Sequence, residues 1–348
     1  MFTPIIRFLA IALAALLLTA PLAAAAAAAA GKGKLTGGIA HDYPDWFKES
    51  FLDLKEDAGE AAAENKHTIL FLSLNGCPYC ARMLSETFAQ NKDAIIKDFD
   101  TIGLNIRGDR MVMVDGENEM SEKQLARKLR VRFTPTVIFL DDEANTVLRI
   151  NGFWDPAQFR TAMAYVRTRS YKEMELNQFI AGQKSERVWK FARHPAMSDT
   201  SDLAGTTKPL LVLFEDAGCS ACAELHNEIL TREDVTEALK SYTFVRLDAE
   251  AETKLTDPAG NQTTARAWAK KLGVRASPTF VAFDEGKERQ RLDSKLYSHH
   301  FISILGYVSG KHYKTHETWL KFNSERTEKI LATGKDVDLS DGKSKAAQ

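Results

Sequence analysis

The sequence predicts an α/β protein in which one unit is used twice, and three observations lead there. Near-continuous apolar runs, Thr68 to Leu74 and Pro209 to Phe214, have the composition of central strands buried on both faces. Each run is followed by a Cys-x-x-Cys pair, Cys77/Cys80 and Cys219/Cys222, that opens a helical pattern. The second half then repeats the first, at an offset of 142 between Cys77 and Cys219 and of 143 between Pro135 and Pro278. A period of that length is domain duplication, not a solenoid.

Met1 to Arg7 gives a short n-region with one positive charge, Phe8 to Leu18 is an uncharged apolar run, and Pro21 precedes an alanine tract with several A-x-A cleavage sites. Residues 1–30 therefore read as a signal peptide. The competing reading is an uncleaved anchor, since Phe8 to Ala30 is long enough to span a bilayer. The second half of that stretch is weakly hydrophobic alanine, which favours cleavage. No cysteine lies near the junction, which excludes a lipoprotein anchor. In a bacterial setting export means the periplasm, where paired cysteines cycle between thiol and disulfide.

Asp45 to Glu64 predicts an amphipathic helix with Phe47, Phe51, Leu54, Ala58 and Ala61 along one face, started by Asp42 or Asp45. Each unit then reads strand, Cys-x-x-Cys helix, strand, helix, proline-led strand, strand, helix, with the last two strands as an antiparallel hairpin. Leu125 to Arg132 matches Ala267 to Arg275, and these lead into Thr134-Pro135-Thr136 and Ser277-Pro278-Thr279. Thr168 to Val188 looks helical and closes the first unit, while His194 to Thr207 reads as loop. The expected organisation is a first domain over 42–185, a linker over 186–207, a second domain over 208–332 and a disordered tail over 333–348.

The 46 basic and 47 acidic side chains balance, which argues against a nucleic-acid binder or a polybasic membrane-surface protein. All four cysteines fall in the two pairs, too few for a disulfide-stapled scaffold. Zinc ribbons space their pairs about 15–20 residues apart, whereas Cys80 and Cys219 are 139 apart in sequence. A cysteine in the first turn of a helix faces unpaired N–H groups and the positive end of the helix dipole, which favours thiolate. Cys77 and Cys219 are the expected attacking thiols, with Cys80 and Cys222 one turn on to resolve the mixed disulfide. Proline is preorganised in a first helical turn, so Pro78-Tyr79 predicts a more rigid site than Ser220-Ala221. Glu215 and Asp216, close to Cys219 in sequence, are expected in a solvated loop. His226 is expected as an exposed helix histidine, and His299-His300 as a pair capping or flanking the helix that follows.

Strand, Cys-x-x-Cys and helix, with a Thr-Pro or Ser-Pro opening a strand 58 and 59 residues after the first cysteine, resemble the thioredoxin superfamily. Within it, Gly76-Cys77-Pro78-Tyr79-Cys80, Asp115-Gly116, Ser121 to Ala126 and Val131 to Thr136 look much like the periplasmic thioredoxin-related proteins of bacterial sulfur-oxidation (Sox) systems. The resemblance covers roughly Asp42 to Phe322. It implies two tandem three-layer α/β/α domains with mixed sheets, and cis peptide bonds at Thr134-Pro135 and Ser277-Pro278, packed against the cysteines. It also implies substrate contacts through Tyr79, Thr134, Pro135, Ser277 and Pro278, and no cofactor. Phe71 and Leu213 stand where cytosolic thioredoxins have a buried aspartate, for which the resemblance leaves Glu215 or Asp216 as substitutes near Cys219, and Trp-Cys-Gly-Pro-Cys is absent. The implied activity is thiol–disulfide exchange on protein or small-molecule disulfides, with a membrane thiol donor as a candidate electron source. The alternative is a binding module or chaperone that holds client proteins with little redox turnover.

Overall fold

The computed structural model describes residues 31–182, 190, 193–217 and 219–343. The expected signal peptide, Gly218 and the last five residues lie outside them. Each half of the chain builds a four-stranded mixed sheet. In the first, β1 (His67–Ser73) pairs in parallel with β2 (Phe99–Asn105) and antiparallel with β3 (Thr136–Leu140), and β4 (Thr146–Asn151) closes the hairpin on β3. In the second, β5 (Leu210–Glu215), β6 (Thr243–Asp248), β7 (Thr279–Asp284) and β8 (Lys287–Leu292) repeat that arrangement strand for strand. Both sheets have the spatial order second, first, third, fourth.

The apolar runs form the central strands because both their faces are covered. Ile69 and Phe71 of β1 pack with Val137 and Phe139 in the core that contains Cys77 and Cys80. Leu70 and Leu72 point to the opposite face with Ile138 and Leu140. In β5, Leu211 and Leu213 face the first of these cores, while Leu210, Val212 and Phe214 face a separate cluster around Trp268. The core holding the first cysteine pair continues through Tyr297, Phe301 and Phe322 of the second half, so one apolar cluster spans both domains.

The two domains meet about a pseudo-twofold axis, because repeat-equivalent residues touch one another. Asn151 donates to Asp293 at 3.3 Å, and Arg82 lies 3.4 Å from Glu224, each pair 142 residues apart. Gly152, at φ +82°, allows Ser294 so close that a β-carbon there would lie 2.8 Å from the serine side chain. Self-complementary contact of this kind is what a symmetric dimer shows; here it is built into one chain.

Three expectations are corrected. The first helix is Leu54–Ala63, not Asp45 to Glu64, and its N-cap is Asp53, whose carboxylate accepts from the Lys55 and Glu56 amides. Leu52 takes a left-handed backbone (φ 65°), so the helix cannot run through it, and Phe51 is left fully exposed while Phe47 packs on Phe71 and Phe88 from a turn. The pattern after Thr168 breaks at Arg169 (φ 54°) into a short turn and the helix Leu176–Gly182; residues 183–189 lie outside the described set. Residues 333–343, expected as disordered, are held in place: Val337–Asp338 pairs in parallel with Leu35–Thr36, and the Asp341 carboxylate accepts from the Ser298 amide at 2.8 Å.

Candidate active sites

At each site a buried strand delivers the chain to a helix N-terminus. β1 leads through Gly76, at φ +79°, to Cys77, which is the N-cap of α1 (Pro78–Arg82). Its sulfur accepts from the Cys80 amide at 3.1 Å. β5 leads to Cys219, the N-cap of the helix Ser220–Glu224, with its sulfur accepting from the Cys222 amide at 3.0 Å. An N-cap sulfur takes the orphan N–H of the first turn, an arrangement that stabilises negative charge on that sulfur when the pair is reduced. Both pairs are disulfides, with Cα atoms 5.3 Å apart. Both helices continue into a wider turn, Met83–Phe88 and Leu225–Ile229.

The peptide bonds Thr134-Pro135 and Ser277-Pro278 are cis. The Thr134 carbonyl oxygen stands 3.5 Å from the Cys77 sulfur, and Ser277 lines one groove with Cys219. That groove, about 630 Å³, is also lined by Trp154 and Gln158 from the first domain and by Lys270 and Arg275 from the second. A smaller cavity of about 150 Å³ lies between the domains, against Pro278, Ala221, Arg82 and Lys295. Even so, Cys77 is only 5% exposed and Cys219 2%.

Tyr79, implied as a substrate contact, is covered by the second domain. Its ring stacks on Tyr297 at 4.9 Å, and its hydroxyl accepts from the Tyr297 amide at 2.9 Å and meets His300 Nδ1 at 3.1 Å. Burial pushes the Tyr79 hydroxyl well above its ordinary pKa. Burial also lowers His300 to about 3, with His299 and Arg326 adding to it, and lowers His299 to about 4. Both histidines sit inside the first turn of α4 (Ser298–Ser309; α2 and α3 are Pro156–Arg167 and Ser220–Glu224). Trp319 of the last helix covers the same region, lying 5.5 Å from Phe133 and 6.1 Å from His300.

The second site holds a feature that runs against expectation. Glu215, at the end of β5, is fully buried, not solvated, and its Oε1 lies 2.7 Å from Nε2 of His226, which is buried too. Glu215 points inward because it continues the alternation of Leu211 and Leu213 along the central strand β5, and His226 meets it from the turn after α3. The equivalent positions of the first site, 142 residues earlier, are Ser73 and Leu84. Nearby, burial works to raise the Glu224 carboxyl, but Lys295, Lys343 and Arg82 outweigh it and hold the group at about 2. Lys295 is lowered to about 8 by burial, with Arg82 adding to it.

Gln158, Tyr297 and Trp319 were not singled out from sequence; the 142-residue offset, which matches Gln158 to His300, was the available signal. Among the described residues no group of three or more His, Cys, Asp or Glu side chains could hold a metal ion, and no helix is long and apolar enough to cross a membrane.

Two Cys-x-x-Cys helices, each after a buried strand and beside a cis-proline, define a tandem dithiol protein of thioredoxin-like class. The model of the thioredoxin-like domain family matches residues 54–167 and again 197–309, and the chain belongs to that family. Among solved structures, it is similar to a thioredoxin-fold protein from Helicobacter pylori (23% identity, 38% of this chain and 89% of that one, TM-score 0.29). It is also similar to a thioredoxin from Thermus thermophilus (20% identity, 39% and 87%, TM-score 0.27). No curated protein matches the chain.

Proposed function

We propose that the protein is an exported thiol–disulfide oxidoreductase whose second site works on polypeptide disulfides. The observation that supports this most is the N-cap cysteine sulfur bonded to its partner's amide, at the edge of a groove roomy enough for an extended chain. The Cys219 thiolate attacks one sulfur of the substrate disulfide and expels the other as thiolate. The Cys222 thiolate then attacks the Cys219 sulfur, expels the second substrate thiolate and closes the Cys219–Cys222 disulfide. Two electrons pass to the substrate, and a thiol donor, at the membrane in our reading, restores the dithiol. The buried Glu215–His226 pair joins the end of β5 to the turn after α3, the two elements that flank these cysteines.

The apolar run Phe8 to Leu18 and the alanine tract after it support export to the periplasm, and Gly76-Cys77-Pro78-Tyr79-Cys80 supports membership of the sulfur-oxidation branch. Turnover of a peptide disulfide with dithiothreitol as donor tests the redox reading. Cys219→Ser is expected to lose at least about 100-fold, whereas full turnover in both Cys219→Ser and Cys77→Ser would reject it.

A further inference from the structure

We infer that Gln158, a residue of the first domain, is a specificity-determining side chain of the second domain's site: its carboxamide occupies the Ser277 carbonyl, and a polypeptide disulfide displaces it to reach Cys219. This rests on the thiol–disulfide reading above. Gln158 Nε2 donates to the Ser277 oxygen at 2.8 Å, across the domain boundary. In the first domain the equivalent carbonyl, that of Thr134, stands 3.5 Å from the attacking sulfur. Ser277 shares the groove with Cys219 and precedes the second cis-proline, so its carbonyl is the counterpart of the Thr134 carbonyl. A backbone carbonyl needs a donor, and an extended chain laid along the groove supplies one from its own amide. The carboxamide of Gln158 presents the same N–H chemistry in that place.

The orientation of Gln158 is fixed from its other end. Its Oε1 accepts from the Asp155 amide at 3.3 Å as the N3 member of a capping box on α2. With oxygen committed to the cap, nitrogen faces Ser277. Gln158, Trp154 and Ser277 line both the groove of about 630 Å³ and the inner cavity of about 150 Å³. The Gln158–Ser277 bond is therefore part of the wall between them, and its release opens the groove inward. A polypeptide replaces the lost bond with its own amide; a disulfide without a backbone amide does not. The repeat-equivalent of Gln158 is His300, which bonds the Tyr79 hydroxyl instead, so the device belongs to one site.

The test uses full-length Cys77→Ser/Cys80→Ser protein, reduced beforehand, and an uncharged peptide whose cysteine is disulfide-bonded to thionitrobenzoate. Cys219 attacks the peptide sulfur and releases thionitrobenzoate, and Cys222 then expels the peptide thiol. Gln158→Glu keeps the capping acceptor and deletes the donor; Gln158→Ala deletes both. The expected result is a half-saturating peptide concentration about fivefold lower in both variants, the worth of one hydrogen bond. The limiting rate stays unchanged, and in the uncharged variant Gln158→Ala the rate with 5,5′-dithiobis(2-nitrobenzoate), which has no amide to place on the Ser277 carbonyl, changes less than the peptide's half-saturation. An unchanged or higher half-saturation in Gln158→Glu, or an equal change with both probes, overturns the inference. No release from either probe by the unsubstituted Gln158 protein instead removes the redox reading, and this inference with it.

Discussion

At the first site the strand that leads to the cysteines ends on Ser73, whose hydroxyl meets that of Tyr43 at 2.9 Å. At the second it ends on Glu215, bonded to His226. The first site carries Tyr79 between its cysteines, packed under Tyr297 and His300, while the second carries Ala221 there and borders the groove. The backbone device is the same in both, down to the sulfur–amide bond of 3.1 and 3.0 Å. What differs is polarity under the site and cover above it. Duplication about a pseudo-dyad makes the first turn of each domain's long helix the other's lid, so a single position, Gln158 in one copy and His300 in the other, sets different access for each site.

The largest expected effect separates the two lids by pH. The folded-state pKa of His300 is depressed to about 3 and that of His299 to about 4, against 6.5 unfolded. Both are bases kept neutral by burial, so the unfolded chain binds more protons in the window between these values. The stability they contribute is full above pH 6.5 and is lost as pH falls towards 3. Tyr79, Arg326 and Trp319 face this pair. Thermal unfolding followed from pH 7 to pH 5, above the main carboxylate range, is expected to show a steep fall in Tm. His300→Gln, the residue of the other copy, flattens it. Parallel curves for the two proteins would mean that the first site's lid does not titrate.

A smaller effect compares the floors of the two sites. Glu215→Ala strips a buried partner from His226 and is expected to cost about 3 kcal/mol. Ser73→Ala removes a hydroxyl pair and is expected to cost about 1 kcal/mol. Urea unfolding of both variants checks the ratio, and equal losses would show that the polar pair of the second site has no special weight.

Much of this was legible in the sequence because it is local or repeated. The central strands follow from unbroken apolar runs, the cysteine positions from the strand-to-helix junction, and the domain pairing from a constant offset. Residues whose surroundings come from docking were not legible. Tyr79 was implied as a substrate contact, and its cover was not legible because Tyr297 is 218 positions away. Gln158 was not singled out because its partner, Ser277, is 119 positions away. Phe47 and Phe51 fit a helical stripe, but the left-handed Leu52 and the Asp53 cap restart the chain between stripe and helix. The polar stretch after Ala332 looks disordered by composition, yet a strand at the other end of the chain pairs with it.

The smallest expected effect isolates the cover over the first site. Tyr79→Phe keeps the ring stacked on Tyr297 at 4.9 Å and removes only the hydroxyl. The Tyr297 amide and His300 Nδ1 then lose a shared partner in a buried place. Leaving a buried donor unsatisfied costs about 1–3 kcal/mol, and the retained ring contact puts the expected loss near the lower end, about 1 kcal/mol. Global unfolding alone does not locate that loss, since any buried hydroxyl gives a similar number. Alkylation does: in the reduced protein, iodoacetamide is expected to modify Cys77 about fivefold faster in Tyr79→Phe, because the opening that admits the reagent is easier by that one hydrogen bond. Cys219, whose access is set by Gln158 on the other side of the pseudo-dyad, keeps its rate. If the two cysteines accelerate together, the domains part as a whole, and the two lids are one.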